Sequence, residues 1–492
     1  MKKIRHEIIL IILLLFLPLF TWRHLPTLQF QGEGFYYFTR MDQTLSIKSV
    51  IGPLQEYRKH YEAFAISFFN LVGPIFKDQV DLYMWFMFIV MLLIDFTFYI
   101  LVRVVTGGKL TAAVAFILFS LSFIGTYDMY SSGGYQYFIQ RGILLLPLFI
   151  SFIFLYKYIK SKKIGFFIIA LALYLMSIIM GFYGTWFLAP FIFYPLFKKF
   201  FWLPVPFLIG NYYIVQDSNY AFPRDSIVEL LFHKTGFIAS GVIHQLTVLT
   251  LPFGWYKPLA QMTTHSISDN LWPYIFGPTL VFLYGGGIML VKKSYPKGID
   301  LALTAFVSLL SMLFFNLYLN AGATFSILVA SRYFYYPSAM LALFWSLVIV
   351  SAFKEGNSKL KVTVALILSF WIVGNIVAVK EAFKDDYQKH KNNYDTISTL
   401  KKWSPQMHEE PSYLILPYKI GAYGGEFAKR FYVNQASFVA IEKLNEVNYQ
   451  ELAKRKVDPR RLFVLHYDET SETVVDQTDK WRNYLYQIEN PQ

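Results

Sequence analysis

Long apolar runs separated by short basic stretches limit what this chain can fold into. Ile8–Phe20 and Leu82–Val102 hold one charged residue between them, Asp95. Such runs approach or reach the ~20 residues that a helix needs to cross a bilayer. Only 16% of the 492 residues are charged, whereas about 25% is usual for a soluble domain. The pattern predicts a polytopic α-helical membrane protein.

We predict about eleven transmembrane helices from the lengths of the apolar runs. The predicted spans are 8–22, 82–102, 110–126, 142–156, 164–180, 184–197, 200–215, 271–291, 301–318, 337–353 and 362–379. Alternate connections are basic, for example Lys157–Lys163 and Lys354–Lys361, and Lys and Arg collect in cytoplasmic loops. The N-terminus is therefore predicted to be cytoplasmic and, with an odd number of spans, the C-terminus extracytoplasmic. The absence of Asn-x-Ser/Thr sites favours a prokaryotic cell membrane.

The first apolar run also has the basic start and short core of a cleaved signal peptide. However, Thr21-Trp22-Arg23-His24 offers no small-residue cleavage site. We therefore predict an uncleaved first span, with Trp22 at the membrane interface.

The charge distribution argues against a nucleic-acid partner. The net charge is +13, but residues 381–492 hold 16 Lys and Arg against 17 Asp and Glu. The excess lies in the loops between spans, as the positive-inside rule predicts. The chain has no Cys, so disulfides and thiol chemistry are excluded.

Two domains are predicted. Residues 1–380 form the transmembrane domain, with a first outer loop over 23–80 and a second outer segment over about 216–270. Residues 381–492 form a small extracytoplasmic α/β domain that is long enough to fold. Its predicted elements are a polar helix to Trp403, strands at Tyr413–Pro417 and Arg461–Tyr467, and a helix at Ala436–Arg455.

The first outer loop contains an apolar stripe of helical period between Tyr61 and Phe76, with Asn70 on the polar side. A helix of this kind can lie in the headgroup layer. The alternative is a re-entrant helix or one packed within the protein.

Glu33 is the leading candidate for a catalytic residue. It follows the first span by about a dozen residues, and glycines on both sides, Gly32 and Gly34, let a substrate approach closely. A carboxylate there can abstract a proton from a hydroxyl. The alternative is a solvated loop acid.

Four further residues at predicted outer loops are candidates. Asp128 is the only acid in a loop rich in Tyr, Ser and Gly, and it is either a ligand-orienting group or a turn residue. Arg141, Arg332 and Lys257 can each pair with a phosphate at the membrane edge, or else extend to the interface.

Asp95, within the second span, is either a structural hydrogen-bonding residue or a relay element. The scattered His residues do not indicate a metal site.

The layout resembles the GT-C superfamily of integral membrane glycosyltransferases, which includes protein O-mannosyltransferases and aminoarabinose transferases. An acid follows the first span, basic turns join helix pairs, and Arg332-Tyr333-Phe334-Tyr335-Tyr336-Pro337-Ser338 is similar to an Arg-Tyr-…-Pro segment of bacterial members. Many members have two adjacent acids after the first span, where this chain has Gly32 and Glu33.

The resemblance implies a polyprenyl-phosphate sugar as donor and transfer at the outer face of the membrane, with inversion. The acceptor would be a hydroxyl of a protein or of an envelope glycan. Glu33 would be the general base, Asp128 would orient the acceptor or the sugar, and Arg332 would stabilise the lipid-phosphate leaving group, with Arg141 and Lys257 as further phosphate-binding candidates. The solitary Asp128 leaves a divalent metal open without indicating one.

Two other functions fit a chain of this kind. A lipid-linked glycan polymerase or ligase would place several Arg and His residues in late outer loops, whereas here the informative acid is early. A transporter or flippase often shows repeated halves and several deep charges, and here only Asp95 is clearly deep.

Overall fold

The residues described below are those of a computed structural model. The described residues are 2–28, 35, 37–38, 41, 44–56, 62–126, 139, 142–180, 205–207, 209, 235–251, 272–319, 335–417, 421–433, 438–441, 454 and 456–489.

Helices make up most of the described chain, and five segments are long and apolar enough to cross a membrane. These five segments are Ile9–Thr27, Val80–Thr106, Pro296–Leu313, Tyr335–Glu355 and Ser358–Lys384. The α-helices up to the C-terminal region are α1 (Lys2–Thr21), α2 (Ile47–Glu56), α3 (Glu62–Phe76), α4 (Val80–Thr106), α5 (Lys109–Ser120), α6 (Phe123–Thr126), α7 (Leu145–Ser161), α8 (Ile164–Met180), α9 (Thr235–Thr250), α10 (Trp272–Ser294), α11 (Ile299–Leu319), α12 (Tyr335–Glu355) and α13 (Ser358–Glu409).

Helices lie where the first five and the last four spans are predicted. The predicted spans 184–197 and 200–215 lie outside the described residues, apart from residues 205–207 and 209. The helix ends follow local rules. Gly107, with a φ of 70°, adopts the left-handed conformation that ends α4, and the Asn357 side chain accepts a hydrogen bond from the Leu360 N–H to cap α13.

The basic connections meet at one end of the helix bundle, which we call the basic end. The Tyr295 hydroxyl, between α10 and α11, donates to the Thr106 carbonyl at the end of α4, 3.1 Å away. The Lys354 ammonium at the end of α12 lies 5.3 Å from the centre of the Tyr295 ring. Three basic connections that are far apart in sequence are thereby brought together, as the charge pattern predicts.

The other end, which we call the opposite end, is held by contacts between helix termini. The indole N–H of Trp22 donates to the Ser120 carbonyl over 2.8 Å, and the Phe123 N–H donates to the Asn375 side chain over 3.0 Å. The rings of Phe119 and Tyr335 stack with centres 5.3 Å apart. The ends of α1 and α5, the start of α6, the start of α12 and the middle of α13 therefore lie together.

Two features that were predicted at the membrane interface pack within the protein. Trp22, at the end of the first predicted span, is fully buried, and its indole donates to the Ser120 carbonyl. Helix α3 buries Phe68, Phe69 and Val72 in the core, so it is a packed helix and not a surface helix. Asn70, predicted on its polar side, is also buried and donates to the Ser49 carbonyl over 2.6 Å.

Helix α9 corrects the prediction that residues 216–270 form an outer segment. It runs parallel to α10, because Ile243 lies against Gly277 near the start of α10 and the Thr250 hydroxyl lies 3.0 Å from that of Tyr284 near its middle. The Gln245 side chain donates to the Leu313 carbonyl of α11 over 3.0 Å. Helix α9 therefore enters the bundle from the opposite end and stops near its middle.

In the described residues after α13, the C-terminal region contains a four-stranded sheet and two α-helices. The elements are β1 (Tyr413–Leu416), α14 (Gly421–Phe431), β2 (Phe438–Ile441), β3 (Leu462–Asp468), β4 (Thr473–Asp476) and α15 (Thr478–Glu489). The strand order is β2-β1-β3-β4; β1 pairs in parallel with β2 and β3, and β4 is antiparallel to β3.

Both predicted strands are present, as β1 and β3, but β2 falls within the stretch predicted as a helix at residues 436–455. Pairing with β1 in the sheet decides this conformation. The predicted boundary at residue 380 lies inside α13, a single helix of 52 residues. At 1.5 Å per residue it is about 78 Å long, so one helix joins the bundle to the sheet.

Gly287→Leu is expected to destabilise the protein by about 2 kcal/mol, because it overpacks the contact between α10 and α12. A Cβ at Gly287 would lie 2.9 Å from Val348 Cγ2 and 3.4 Å from Phe344 Cζ. The matched control is Gly286→Leu, since a Cβ there meets nothing within 4 Å. Thermal unfolding of both variants in detergent tests this, and equal unfolding temperatures would contradict the close packing.

Candidate functional site

All five predicted site residues lie outside the described residues: Glu33, Asp128, Arg141, Lys257 and Arg332. The residues that border their segments are described for each of them. These borders show which part of the bundle each segment leaves or enters.

The segment that contains Glu33 is bordered by buried anchors. Leu28 is buried on one side, and Phe35, two residues after Glu33 in sequence, is buried on the other. The Phe35 ring lies 5.1 Å from that of Phe427 on α14, and Phe38 packs against both Phe427 and Tyr83 of α4. The chain just after Glu33 is therefore anchored between the helix bundle and the C-terminal region.

The described borders of the segments that contain Asp128, Arg141 and Arg332 lie together at the opposite end. Asp128 follows α6, whose first residue binds Asn375. Arg141 precedes Leu144, whose carbonyl accepts a hydrogen bond from Ser177 over 3.3 Å. Arg332 precedes Tyr335, which stacks on Phe119. Phe119 also lies 6.2 Å from Phe149 of α7, so the three borders are neighbours.

The segment that contains Lys257 has a different border. It follows α9, which ends near the middle of the bundle beside Tyr284, and precedes Trp272 at the start of α10. Lys257 was predicted in an outer loop, but the chain before it leaves from inside the bundle.

Asp95 is buried in the middle of α4, and one of its carboxylate oxygens has no hydrogen-bond partner among the described residues. The Tyr335 side chain at the start of α12 lies close enough to Asp95 for the two groups to interact electrostatically. Tyr335 belongs to the same Arg-Tyr-…-Pro segment as Arg332. Asp95 therefore lies near Tyr335, the first described residue after the segment that contains Arg332.

A pocket of about 500 Å³ lies where the end of α3, the turn before α4, α13 and the end of α14 meet. Asp78, just before α4, accepts a hydrogen bond from the Tyr432 hydroxyl over 3.0 Å and pairs with the Lys401 ammonium at 3.3 Å. Burial first, and then the Asp78 charge, raises the pKa of Tyr432, so its hydroxyl remains protonated and donates. Arg430 donates to the Met41 carbonyl nearby. Asp78 is therefore an acid that is already bound to two donors, which leaves it poorly suited to act as a free base.

Asp78→Ala is expected to destabilise the junction between the bundle and the C-terminal region by about 2 kcal/mol, because it leaves the buried Tyr432 hydroxyl without its acceptor. The ion pair adds little, since both partners are partly exposed and solvent screens them. Lys401→Gln is the matched control and should cost less than about 1 kcal/mol. Thermal unfolding of the full-length protein measures both, and a larger effect for Lys401→Gln would contradict this ranking.

Asp78, Lys401 and Tyr432 were not predicted from the sequence. Each is an ordinary residue in its local context, and Asp78 is more than 300 positions from both Lys401 and Tyr432. Their interactions with one another are visible only in the folded structure. Among the residues that the structure describes, no three His, Asp or Glu side chains gather as a metal site would require.

Comparison with known proteins assigns neither a family nor a function to the chain. No known protein family matches the sequence, and no curated protein does either.

Proposed function

We propose that this protein is an inverting glycosyltransferase of the GT-C type, which moves a sugar from a polyprenyl phosphate to an acceptor hydroxyl at the outer face of a cell membrane. The proposal includes about eleven spans, a cytoplasmic N-terminus and an extracytoplasmic C-terminal domain. The observation that supports the proposal is that the residues on either side of three candidate segments lie at the same end of the bundle. The described neighbours of Asp128, Arg141 and Arg332 lie together at the end of the bundle opposite the basic loops.

The reaction needs a base and a cation at one membrane edge. Glu33 accepts the proton of the acceptor hydroxyl, and the hydroxyl oxygen attacks the anomeric carbon of the sugar. The bond from that carbon to the phosphate oxygen breaks, and the lipid phosphate leaves with the electron pair. Arg332, with Arg141 and Lys257, stabilises the charge that develops on this phosphate. Asp128 orients the acceptor or the sugar.

Burial of Phe35 supports a role for Glu33 in this scheme. An anchor two residues away limits the positions open to the carboxylate, and a positioned base is more effective than one on a free loop. The anchor is formed partly by Phe427 of the C-terminal region. Through this contact the C-terminal region supports the first outer loop.

The test is transfer from a panel of radiolabelled polyprenyl-phosphate hexoses and pentoses to crude envelope extract. Membranes that contain the protein are compared with membranes from the same host without it. We expect radiolabel in the acceptor fraction with at least one donor, dependent on the protein. Equal incorporation by both membranes with every donor would contradict the proposal.

One observation favours the transporter alternative. Helix α9 stops near the middle of the bundle with His244 and Gln245 buried on it, and transporters use interrupted helices of this kind at their binding sites. Proteoliposomes separate the two functions. Movement of a lipid-linked sugar across the bilayer without transfer to an acceptor would favour the transporter.

A further inference from the structure

A groove of about 690 Å³ lies between the end of α1 and the middle of α13. Phe20, Ile376, Val379 and Phe383 contribute apolar lining, and these residues belong to two of the segments that are apolar and long enough to cross a membrane. The groove therefore lies at the edge of the membrane, where the helices pass from hydrocarbon to headgroups.

Four cations line the same groove: Arg23, Lys380, Lys384 and Lys391. No Asp or Glu is among the lining residues, and within the described part of the chain none of the four forms an ion pair. The guanidinium of Arg23 is held over the Phe20 ring at 4.6 Å, and its Nε–H donates to His24 Nε2 over 3.1 Å. The groove thus carries four positive charges without a described counter-ion.

The position of these charges is informative. Lys and Arg normally collect on the cytoplasmic side of a membrane protein, which here corresponds to the basic end. Arg23 directly follows Trp22, which binds Ser120 at the opposite end, and Lys380 lies five residues beyond Asn375, which binds Phe123 there. Orientation in the membrane therefore does not account for these four cations at the groove.

The surfaces beside the groove suit lipid chains. On the side of the groove toward the basic end, α1 exposes Ile12 and Phe16, and α13 exposes Ile367, Phe370 and Val373. Lys380 and Lys384 are one helical turn apart, about 6 Å, so both can reach one phosphate. Lys391 lies about 10 Å farther along α13, at the level of a headgroup that extends from the membrane.

We propose that this groove binds an anionic phospholipid of the surrounding bilayer. Its phosphate lies among Arg23, Lys380 and Lys384, its headgroup extends toward Lys391, and its chains follow the exposed faces of α1 and α13. The groove opens where bilayer phospholipids are in excess, and its charge complements theirs. The bound lipid joins the first span to the helix that leads into the C-terminal region. This inference does not depend on the proposed function, because lipid binding requires no transfer reaction.

The experiment measures binding of phosphatidylglycerol to delipidated full-length protein by native mass spectrometry, with phosphatidylcholine as the zwitterionic comparison. The test variant is Lys380→Gln/Lys384→Gln/Lys391→Gln. The matched control is Lys402→Gln/Lys454→Gln/Lys480→Gln, which removes three exposed lysines of the C-terminal region that do not line the groove. We expect the test variant to bind phosphatidylglycerol about 100-fold more weakly, since each cation near a phosphate contributes roughly a fivefold factor.

The single variant Lys384→Gln keeps the test decisive if the triple variant does not fold, and it should bind about fivefold more weakly. The control variant should bind as the wild type does. Equal binding of phosphatidylglycerol and phosphatidylcholine, or an unchanged affinity in the test variant, would overturn the proposal. Displacement of phosphatidylglycerol by an equal amount of polyprenyl phosphate would also overturn it, by assigning the groove to an isoprenoid lipid.

Discussion

Glu33→Gln is expected to reduce sugar transfer about 1000-fold at equal expression, since a side chain acting as general base contributes roughly 10²–10⁴-fold to a rate. The amide keeps the size of the side chain but cannot accept the proton of the acceptor hydroxyl. Initial rates of radiolabel incorporation with the active donor measure the effect.

The control for this variant is Glu56→Gln, which removes an acid from the same predicted outer loop at the end of α2. It should transfer sugar at close to the wild-type rate. If Glu33→Gln transfers sugar as fast as the wild type, Glu33 is not the base. Asp128→Asn then becomes the variant to measure.

Arg332→Gln is expected to lower kcat/KM about 100-fold, because the loss of one donor to a developing negative charge typically costs 10²–10³-fold. Arg332→Lys should retain part of the activity, since it keeps the charge but loses the paired donors of the guanidinium. The start of α12 is well fixed for this purpose. Tyr335 is buried against Phe119, and the Ser338 hydroxyl donates to the Tyr335 carbonyl over 2.7 Å.

Lys354→Gln is the control for Arg332→Gln, because it removes a cation from the far end of α12, the helix that follows Arg332 in the sequence. Lys354 lies over Tyr295 at the basic end, away from the proposed reaction. It should leave kcat/KM unchanged. Equal losses in the two variants would point to a general effect of charge or folding, and would remove Arg332 from the mechanism.

The helices of the bundle could largely be predicted from the sequence. Helix α8 begins and ends where its apolar run does, at residues 164 and 180, and α4 extends the predicted span by only a few residues. The predictions that are wrong concern what a helix packs against. Trp22, Phe69 and Asn70 have the pattern of an interfacial segment, yet all three are buried in protein contacts.

The candidate site was predicted from residue types and their place in the topology. Glu33, Asp128, Arg141, Lys257 and Arg332 remain predictions, because they lie outside the described residues. What the structure adds is the position of their borders, including the buried Phe35 and the descent of α9 into the bundle before Lys257. It also shows that Asp95 and Tyr335 are close enough to interact electrostatically, although the sequence gives no reason to connect them.

The sequence by itself determined that this is a helical protein with membrane-spanning segments. The length and the hydrophobicity of a single segment decide whether it can cross a bilayer as a helix, whatever the segment packs against. The positions of the basic loops can also be predicted from the sequence, because they lie between these apolar segments. Only the tertiary structure decided that Asp78 binds Lys401 and Tyr432, that α9 stops inside the bundle, and that Arg23 shares a groove with three lysines of α13. These features join residues that are distant in the chain, and their energies depend on distances that exist only after the helices have packed together.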